Sequence, residues 1–158
     1  MDFDVVVVGG GSAGYSAAST AQSIGARVAI IDPGPLGGLC ILRGCMPTKA
    51  ILRSSDIMAL MHRAEECGLQ PVQAQAHLPA INDRKNKLIQ EFADYRIEQL
   101  NDSRFTLIQE RAEFISPHEI RVGNRTLKAK SFILATGSVV ADFPILGLQE
   151  TGFITSDD

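Results

Sequence analysis

Apolar runs and glycine-rich turns alternate over the first forty residues. The β-branched run Phe3 to Val8 stops at three glycines, and small residues then recur at helical spacing from Ala13 to Ala21 before Gly25. A second apolar run, Arg27 to Ile31, ends at Asp32. A strand, a helix and a second strand joined this closely favour a parallel, doubly wound sheet.

The middle of the chain is predicted to be helical. Pro47 is a favourable first residue of a helix, and apolar residues follow it at helical spacing up to Gly68. Residues Leu69 to Ala76 have the composition of a loop. The segment Leu78 to Leu100 carries apolar residues on one face and charges around the rest, which predicts a second long helix.

Short apolar segments separated by turn residues occupy the last third. Four of them are interpreted as the strands of an antiparallel meander, namely Phe105 to Gln109, Ala112 to Ile115, Glu119 to Val122 and Thr126 to Lys130. The segment Ser131 to Ala135 is predicted to be a further, buried strand, which ends at Thr136-Gly137-Ser138.

Composition limits the class of protein. The chain has 158 residues, of which 45% are hydrophobic and 21% are charged, as in one globular domain with a substantial core. A net charge of -3 gives no broad basic surface, so small ligands are expected rather than nucleic acid or membrane. The apolar run Val5 to Val8 is too short for a bilayer and has no cationic flank, which favours a cytoplasmic location.

The first glycine-rich turn has the pattern of a dinucleotide site. Residues 9–14 read G-x-G-x-x-G, with the required strand before and helix after them. Gly9 would permit the turn, Gly11 would admit a pyrophosphate and Gly14 would allow close packing of helix on strand. The helix N-terminus would supply amide donors, and Asp32 could accept hydrogen bonds from ribose hydroxyls. The motif does not identify the dinucleotide, and the alternative is a structural turn followed by a surface acid.

Cys40 and Cys45 are a candidate redox pair. Five residues along a regular helix rise about 7.5 Å and turn about 140°, which holds two Cα atoms more than about 8 Å apart. A disulfide requires a Cα–Cα distance of less than about 7 Å, so the backbone must be distorted between the two cysteines. Gly44 lowers the energy of such a distortion. A position at the start of a helix would also stabilise a thiolate.

Other interpretations of the cysteines stay open. A zinc site would need further ligands, and His62 and Cys67 lie nearby without the spacing of a zinc finger, so no metal is predicted. Two idle thiols are the third possibility. In a reducing compartment a close pair suggests chemistry rather than a structural disulfide. Cys67 is interpreted as a packing residue without an assigned role.

The stretch GGLCILRGCMPTK, residues 37–49, resembles the active-site signature of the class I pyridine nucleotide-disulfide oxidoreductases, the family of dihydrolipoamide dehydrogenase, glutathione reductase and mercuric reductase. The likeness continues through Ala112 in ERAEFISPHEIRV and ILATGS to Pro144 and Gly147. It implies a Rossmann-like α/β FAD-binding domain, truncated, with a central parallel sheet and an antiparallel β-meander.

The resemblance assigns FAD as the bound dinucleotide. Asp32 would meet the adenosine ribose, Ala112 would touch adenine through its backbone, and Lys49 would lie against the flavin ring. A cation there would stabilise the reduced flavin and a neighbouring thiolate. The implied cofactor residues are Gly9, Gly11, Ser12, Ala13, Gly14, Asp32, Gly34, Leu39, Cys40, Lys49, Ala112, Thr136, Gly137 and Ser138.

The same resemblance implies the electron path. Electrons would pass from NAD(P)H through FAD to the pair, and then to a disulfide or thiol-reactive substrate. Cys40 would be the interchange thiol, and Cys45 the thiolate beside the flavin. Two competing functions remain, a non-catalytic dinucleotide-binding module with idle cysteines and an NAD-linked dehydrogenase domain.

The chain departs from the family in three respects. Leu39 replaces a common Thr or Glu, while Leu42 and Arg43 replace Asn and Val between the cysteines. The nicotinamide-binding domain is absent, and so is the interface domain that supports a homodimer and supplies a His–Glu pair. Residues 1–158 are therefore expected to be the N-terminal portion of the FAD-binding domain and to be inactive alone. None of His62, His77 or His118 matches the missing histidine.

Overall fold

The computed structural model describes residues 1–141, 143–155 and 157. Its elements follow in chain order, with helices and strands numbered separately. They are β1 (Phe3–Val8), α1 (Ser12–Ser23), β2 (Val28–Ile31), α2 (Gly38–Leu42), α3 (Cys45–His62), a 3-10 turn (Ala64–Cys67), α4 (Leu78–Leu100), β3 (Thr106–Ile108), β4 (Ala112–Ser116), β5 (Glu119–Val122) and β6 (Arg125–Leu134).

One sheet of six strands organises the fold, in the order β3-β2-β1-β6-β5-β4. The strand β1 pairs in parallel with both β2 and β6, and β2 pairs in parallel with β3. The strands β4, β5 and β6 pair antiparallel. The predicted fold class, a central parallel sheet with an antiparallel meander, is confirmed.

The longest strand, β6, belongs to both parts of the sheet. Residues 125–128 pair antiparallel with β5, and Ala129 to Leu134 lie parallel to β1. The prediction of two separate strands, Thr126 to Lys130 and Ser131 to Ala135, was wrong, because the chain changes partners without leaving the extended conformation. A change of partner leaves no turn residue in the sequence.

The assignment of Phe105 to Gln109 to the meander was also wrong. The strand β3 covers only Thr106–Ile108 and pairs in parallel with β2, with Ile31 opposite Ile108. Its connection explains this, since β3 follows the long helix α4 and a helical crossover returns the chain parallel to the strand it left. Local alternation of apolar residues cannot distinguish these pairings.

Alternate residues of the central strands supply two cores on opposite faces of the sheet. On one face Val7 and Ile30 pack with residues of α1 and with Leu100 of α4. On the other face Val6 packs with Ile120 and other residues of the meander. The central strands are thus covered on both sides, which accounts for their continuous β-branched runs.

The two long helices lie close to their predicted positions, and only α3 has different bounds. The predicted bounds of α4 are confirmed, whereas α3 begins at Cys45 instead of Pro47 and ends at His62 before the 3-10 turn. None of the residues of α3 is buried, so this helix is peripheral to the sheet. Within the described residues, no helix combines the length and apolar character needed to cross a membrane.

Candidate functional site

The turn between β1 and α1 depends on backbone atoms in close approach. Gly9 has φ 108°, and a Cβ there would overlap the carbonyl oxygen of Ala135. A Cβ at Gly14 would overlap the carbonyl oxygen of Gly9, so helix and turn touch directly. A Cβ at Gly38 would lie 2.5 Å from the Cα of Gly11, which shows that the start of α2 rests on the turn.

The N-terminus of α1 is open to an anion. Its cap residue, Gly11, makes no side-chain capping bond, and the first turn of the helix contains no acidic residue. Both Ser12 and Ala13 are exposed. The free amides and the positive end of the helix dipole therefore face outward without a side chain that competes for them.

Asp32 lies directly beside this turn. Its carboxylate accepts hydrogen bonds from the amide of Gly10 at 2.6 Å and from the amide of Gly34 at 2.8 Å. The amide of Asp32 itself donates to Ile108 at 3.0 Å, which fixes the end of β2. A carboxylate has about four lone-pair sites, so after these two bonds Asp32 can still accept from a hydroxyl.

A cavity of about 600 Å³ opens at the carboxyl ends of the parallel strands. Its volume falls within the range of about 300–1,000 Å³ typical of cofactor sites, and this edge is where doubly wound sheets bind ligands. The sequence-predicted residues in its wall are Gly9, Gly11, Asp32, Gly34, Leu39, Ala112, Thr136, Gly137 and Ser138.

Five of the predicted cofactor residues do not line the cavity. Gly14 is buried beneath the turn, and Lys49 is exposed on α3. The remaining three are Ser12, Ala13 and Cys40.

Several residues of the cavity wall were not predicted. Glu110 and Arg111 immediately precede Ala112, and that proximity was the signal that could have identified them. Arg43 was noted only as a departure from the family pattern. The other unpredicted wall residues are Val8, Ile31, Pro33, Pro35, Gly38, Leu42, Ala135 and Val139.

The candidate redox pair spans a break between two helices. The helix α2 ends at Leu42, Gly44 adopts φ -103° and ψ -108°, and α3 begins at Cys45. The amide of Gly44 donates to the carbonyl of Leu39 at 2.8 Å, which closes the end of α2. The predicted backbone distortion between the cysteines is confirmed.

This break places the side chain of Cys40 close enough to Cys45 for the two thiols to influence each other. Both are free thiols, with Cys45 exposed and Cys40 half-buried. A side-chain hydrogen bond to Cys45 raises the pKa of Cys40, and burial and the charge of Cys45 add to this increase. The backbone amide of Cys45 and the charge of Lys49 oppose it. Cys40 therefore keeps its proton to a higher pH than an ordinary thiol.

The third cysteine lies apart in the sequence and has no assigned role. Cys67 is exposed at the end of the 3-10 turn, which does not support the packing role that its sequence context favoured. Among the residues that the structure describes, no three His, Cys, Asp or Glu side chains are grouped as metal ligands.

Comparison with known proteins identifies the family. The model of the pyridine nucleotide-disulphide oxidoreductase family matches residues 3–158. The chain is 34% identical over 156 residues to mercuric reductase from Staphylococcus aureus, which covers 98% of the chain and 28% of that protein. It is 36% identical over 145 residues to dihydrolipoyl dehydrogenase from Chlamydia muridarum, which covers 90% of the chain and 31% of that protein.

A solved structure has the same fold. The chain superimposes with a TM-score of 0.71 and 27% identity on the Cu(II) complex of the HOCl-induced flavoprotein disulfide reductase RclA from Escherichia coli. The match covers 93% of this chain and 31% of that one. The chain thus belongs to the pyridine nucleotide-disulphide oxidoreductase family, and it spans under a third of the length of these three relatives.

The interaction between the thiols predicts how Cys40 reacts in the reduced chain. Replacing Cys45→Ala removes both the hydrogen bond and the charge that raise the Cys40 pKa. We expect the pH of half-maximal alkylation of Cys40 to fall, measured with iodoacetamide by mass spectrometry of the peptide that contains Cys40. The control Cys67→Ala should leave this pH unchanged. An unchanged profile in Cys45→Ala would contradict the interaction.

Proposed function

We propose that this chain is the FAD-binding, redox-dithiol part of an NAD(P)H-dependent flavoprotein disulfide oxidoreductase. The observation that carries the proposal is the position of the Cys40 and Cys45 thiols. They interact across the break that follows α2, a helix whose own residues line the cavity. Proteins of this family use FAD and NAD(P)H. A redox pair at the edge of a dinucleotide-sized cavity matches that chemistry.

The residues around the cavity suit FAD. The open N-terminus of α1 would receive the diphosphate, and Asp32 would accept from a ribose hydroxyl. Ala112 would contact the adenine through its backbone, and Thr136, Gly137 and Ser138 would close the far wall. When bound, FAD supplies a two-electron carrier between NAD(P)H and the cysteine pair.

The two thiols have different tasks in this proposal. In the reduced pair the Cys40 thiolate attacks a sulfur of the substrate disulfide and forms a mixed disulfide, which releases one substrate thiol. The Cys45 thiolate then attacks the Cys40 sulfur, releases the second substrate thiol and leaves the pair oxidised by two electrons. Lys49 would supply positive charge near the thiolate.

The pKa of Cys40 is raised first by the hydrogen bond with Cys45 and then by burial and by the charge of Cys45, so Cys40 holds its proton to a higher pH than an ordinary thiol. Cys40 must lose that proton before it attacks. We propose that the required base comes from the interface domain of a second subunit.

The match covers 28% of the mercuric reductase and 31% of the dihydrolipoyl dehydrogenase. We propose that residues 1–158 form the N-terminal portion of the FAD-binding domain. The NAD(P)H site, the homodimer contacts and the acid-base group would then lie elsewhere in a complete cytoplasmic enzyme. The portion described here would bind FAD but would not turn over NAD(P)H alone.

Binding of FAD tests the cofactor assignment. We expect the chain to quench the fluorescence of added FAD. We expect Asp32→Asn to weaken FAD binding about 10- to 100-fold, which is the usual effect on affinity of losing a hydrogen bond to a charged group. Asp56→Asn, at an exposed position of α3, is the matched control and should bind like the wild type. Circular dichroism checks that each variant is folded. A chain that binds NAD but not FAD would overturn the assignment.

Cycling of the thiols tests the redox assignment. The chain has three cysteines, so the count of reactive thiols should fall from three to one on mild oxidation and recover on reduction. In Cys67→Ala the count should fall from two to zero, whereas Cys40→Ser should retain both remaining thiols. A wild-type count that does not change on oxidation is the result expected of idle cysteines, and it would refute the proposed pair.

A further inference from the structure

A cation–π contact lies behind the glycine-rich turn. Tyr15 is in the first turn of α1, where its amide donates to the carbonyl of Gly11 at 2.9 Å. Arg96 projects from α4 and places its guanidinium carbon 4.4 Å from the centre of the Tyr15 ring. This separation is well inside the about 6 Å limit for a cation–π interaction. The contact joins the end of α4 to the start of α1.

Arg96 has little else to hold it in this position. Its Nε and Nη1 atoms are buried and, within the described residues, have no hydrogen-bond partner. The buried Oε1 of Gln99, one turn further along α4, also has none. Burial of a charged group is costly unless the group is paired, and among the described residues the face of the Tyr15 ring is a partner for this guanidinium. A partly desolvated cation is also the kind that aromatic rings bind most strongly.

The end of α4 supports the glycine-rich turn at a second point. The Cδ1 atom of Leu100 lies 3.3 Å from where a Cβ on Gly10 would be. Phe105, just beyond α4, packs edge-on against Tyr15 with ring centres 6.2 Å apart. Arg104 in turn lies 5.3 Å from the centre of the Phe105 ring. The turn is therefore held from behind by α4 while its front faces the cavity.

We propose that Arg96 is a positioning residue for the dinucleotide site. By binding the face of Tyr15 it fixes the first turn of α1, and thereby the free amides at the N-terminus of this helix, which begins next to Gly11 in the cavity wall. Its role rests on the proposed function, because the diphosphate of FAD is the group those amides would receive. Arg96 itself does not touch the ligand.

Four variants test whether the positive charge of Arg96 and the aromatic ring of Tyr15 are required, or only the size of the two side chains. Arg96→Met keeps most of the side-chain length without the charge, while Arg96→Lys keeps a cation. Tyr15→Leu removes the ring, while Tyr15→Phe keeps it. We expect the Met and Leu variants to weaken FAD binding about tenfold, and the Lys and Phe variants to stay within about threefold of the wild type. Arg53→Met, at an exposed position of α3, is the matched control.

The double variant measures whether the two side chains act together. If they do, Arg96→Met combined with Tyr15→Leu binds FAD no more weakly than either single variant. Additive losses would overturn the proposal. So would Arg96→Met with the affinity of the wild type, or Arg96→Lys as weak as Arg96→Met, because the cation would then be irrelevant.

Hydrogen exchange of the ligand-free chain distinguishes this proposal from the proposed function. The Tyr15 amide should exchange about tenfold faster in Arg96→Met than in the wild type, while amides of β1 and β2 should keep their rates. Uniformly faster exchange would indicate general destabilisation and would contradict a positioning role. If the wild type bound no FAD, the proposed function would fail, whereas the exchange result would still show whether Arg96 holds the first turn of α1.

Discussion

Backbone contact at the first glycine-rich turn is the constraint on which the rest of the structure depends. A side chain at Gly9 would overlap the carbonyl oxygen of Ala135, and one at Gly14 would overlap that of Gly9, so only glycine lets β1, α1 and the end of β6 meet this closely. This close approach of β1, α1 and β6 determines the edge of the sheet at which the cavity opens. It also leaves the amides at the start of α1 without competing side chains.

The same contact sets the position of the candidate redox pair. Because Gly38 rests against Gly11, α2 begins on top of the turn and carries Cys40 only two residues further on. The helix then breaks at Gly44, and α3 starts with Cys45. The proposed dinucleotide site at the turn and the thiol pair beside it are thus two results of one arrangement of the backbone. This is why both signatures occur within a few dozen residues of the sequence.

Local signals predicted much of this molecule. The bounds of β1 and α4, the break between the cysteines and the family were all available from residue spacing and motif. The partner of β3 and the continuity of β6 were not, because they depend on which strands meet after a crossover. The position of Arg96 behind the turn also depends on a long-range contact, with Tyr15. No periodicity marks such residues.

The central claim is that flavin and thiols share one site, with Cys45 nearest the ring. A crystal structure of the chain with FAD tests it most directly, through the distance from the Cys45 sulfur to the isoalloxazine. The account predicts van der Waals contact, about 4 Å, with the diphosphate at the N-terminus of α1. An isoalloxazine remote from both sulfurs, or one in contact with Cys40 instead of Cys45, would contradict it.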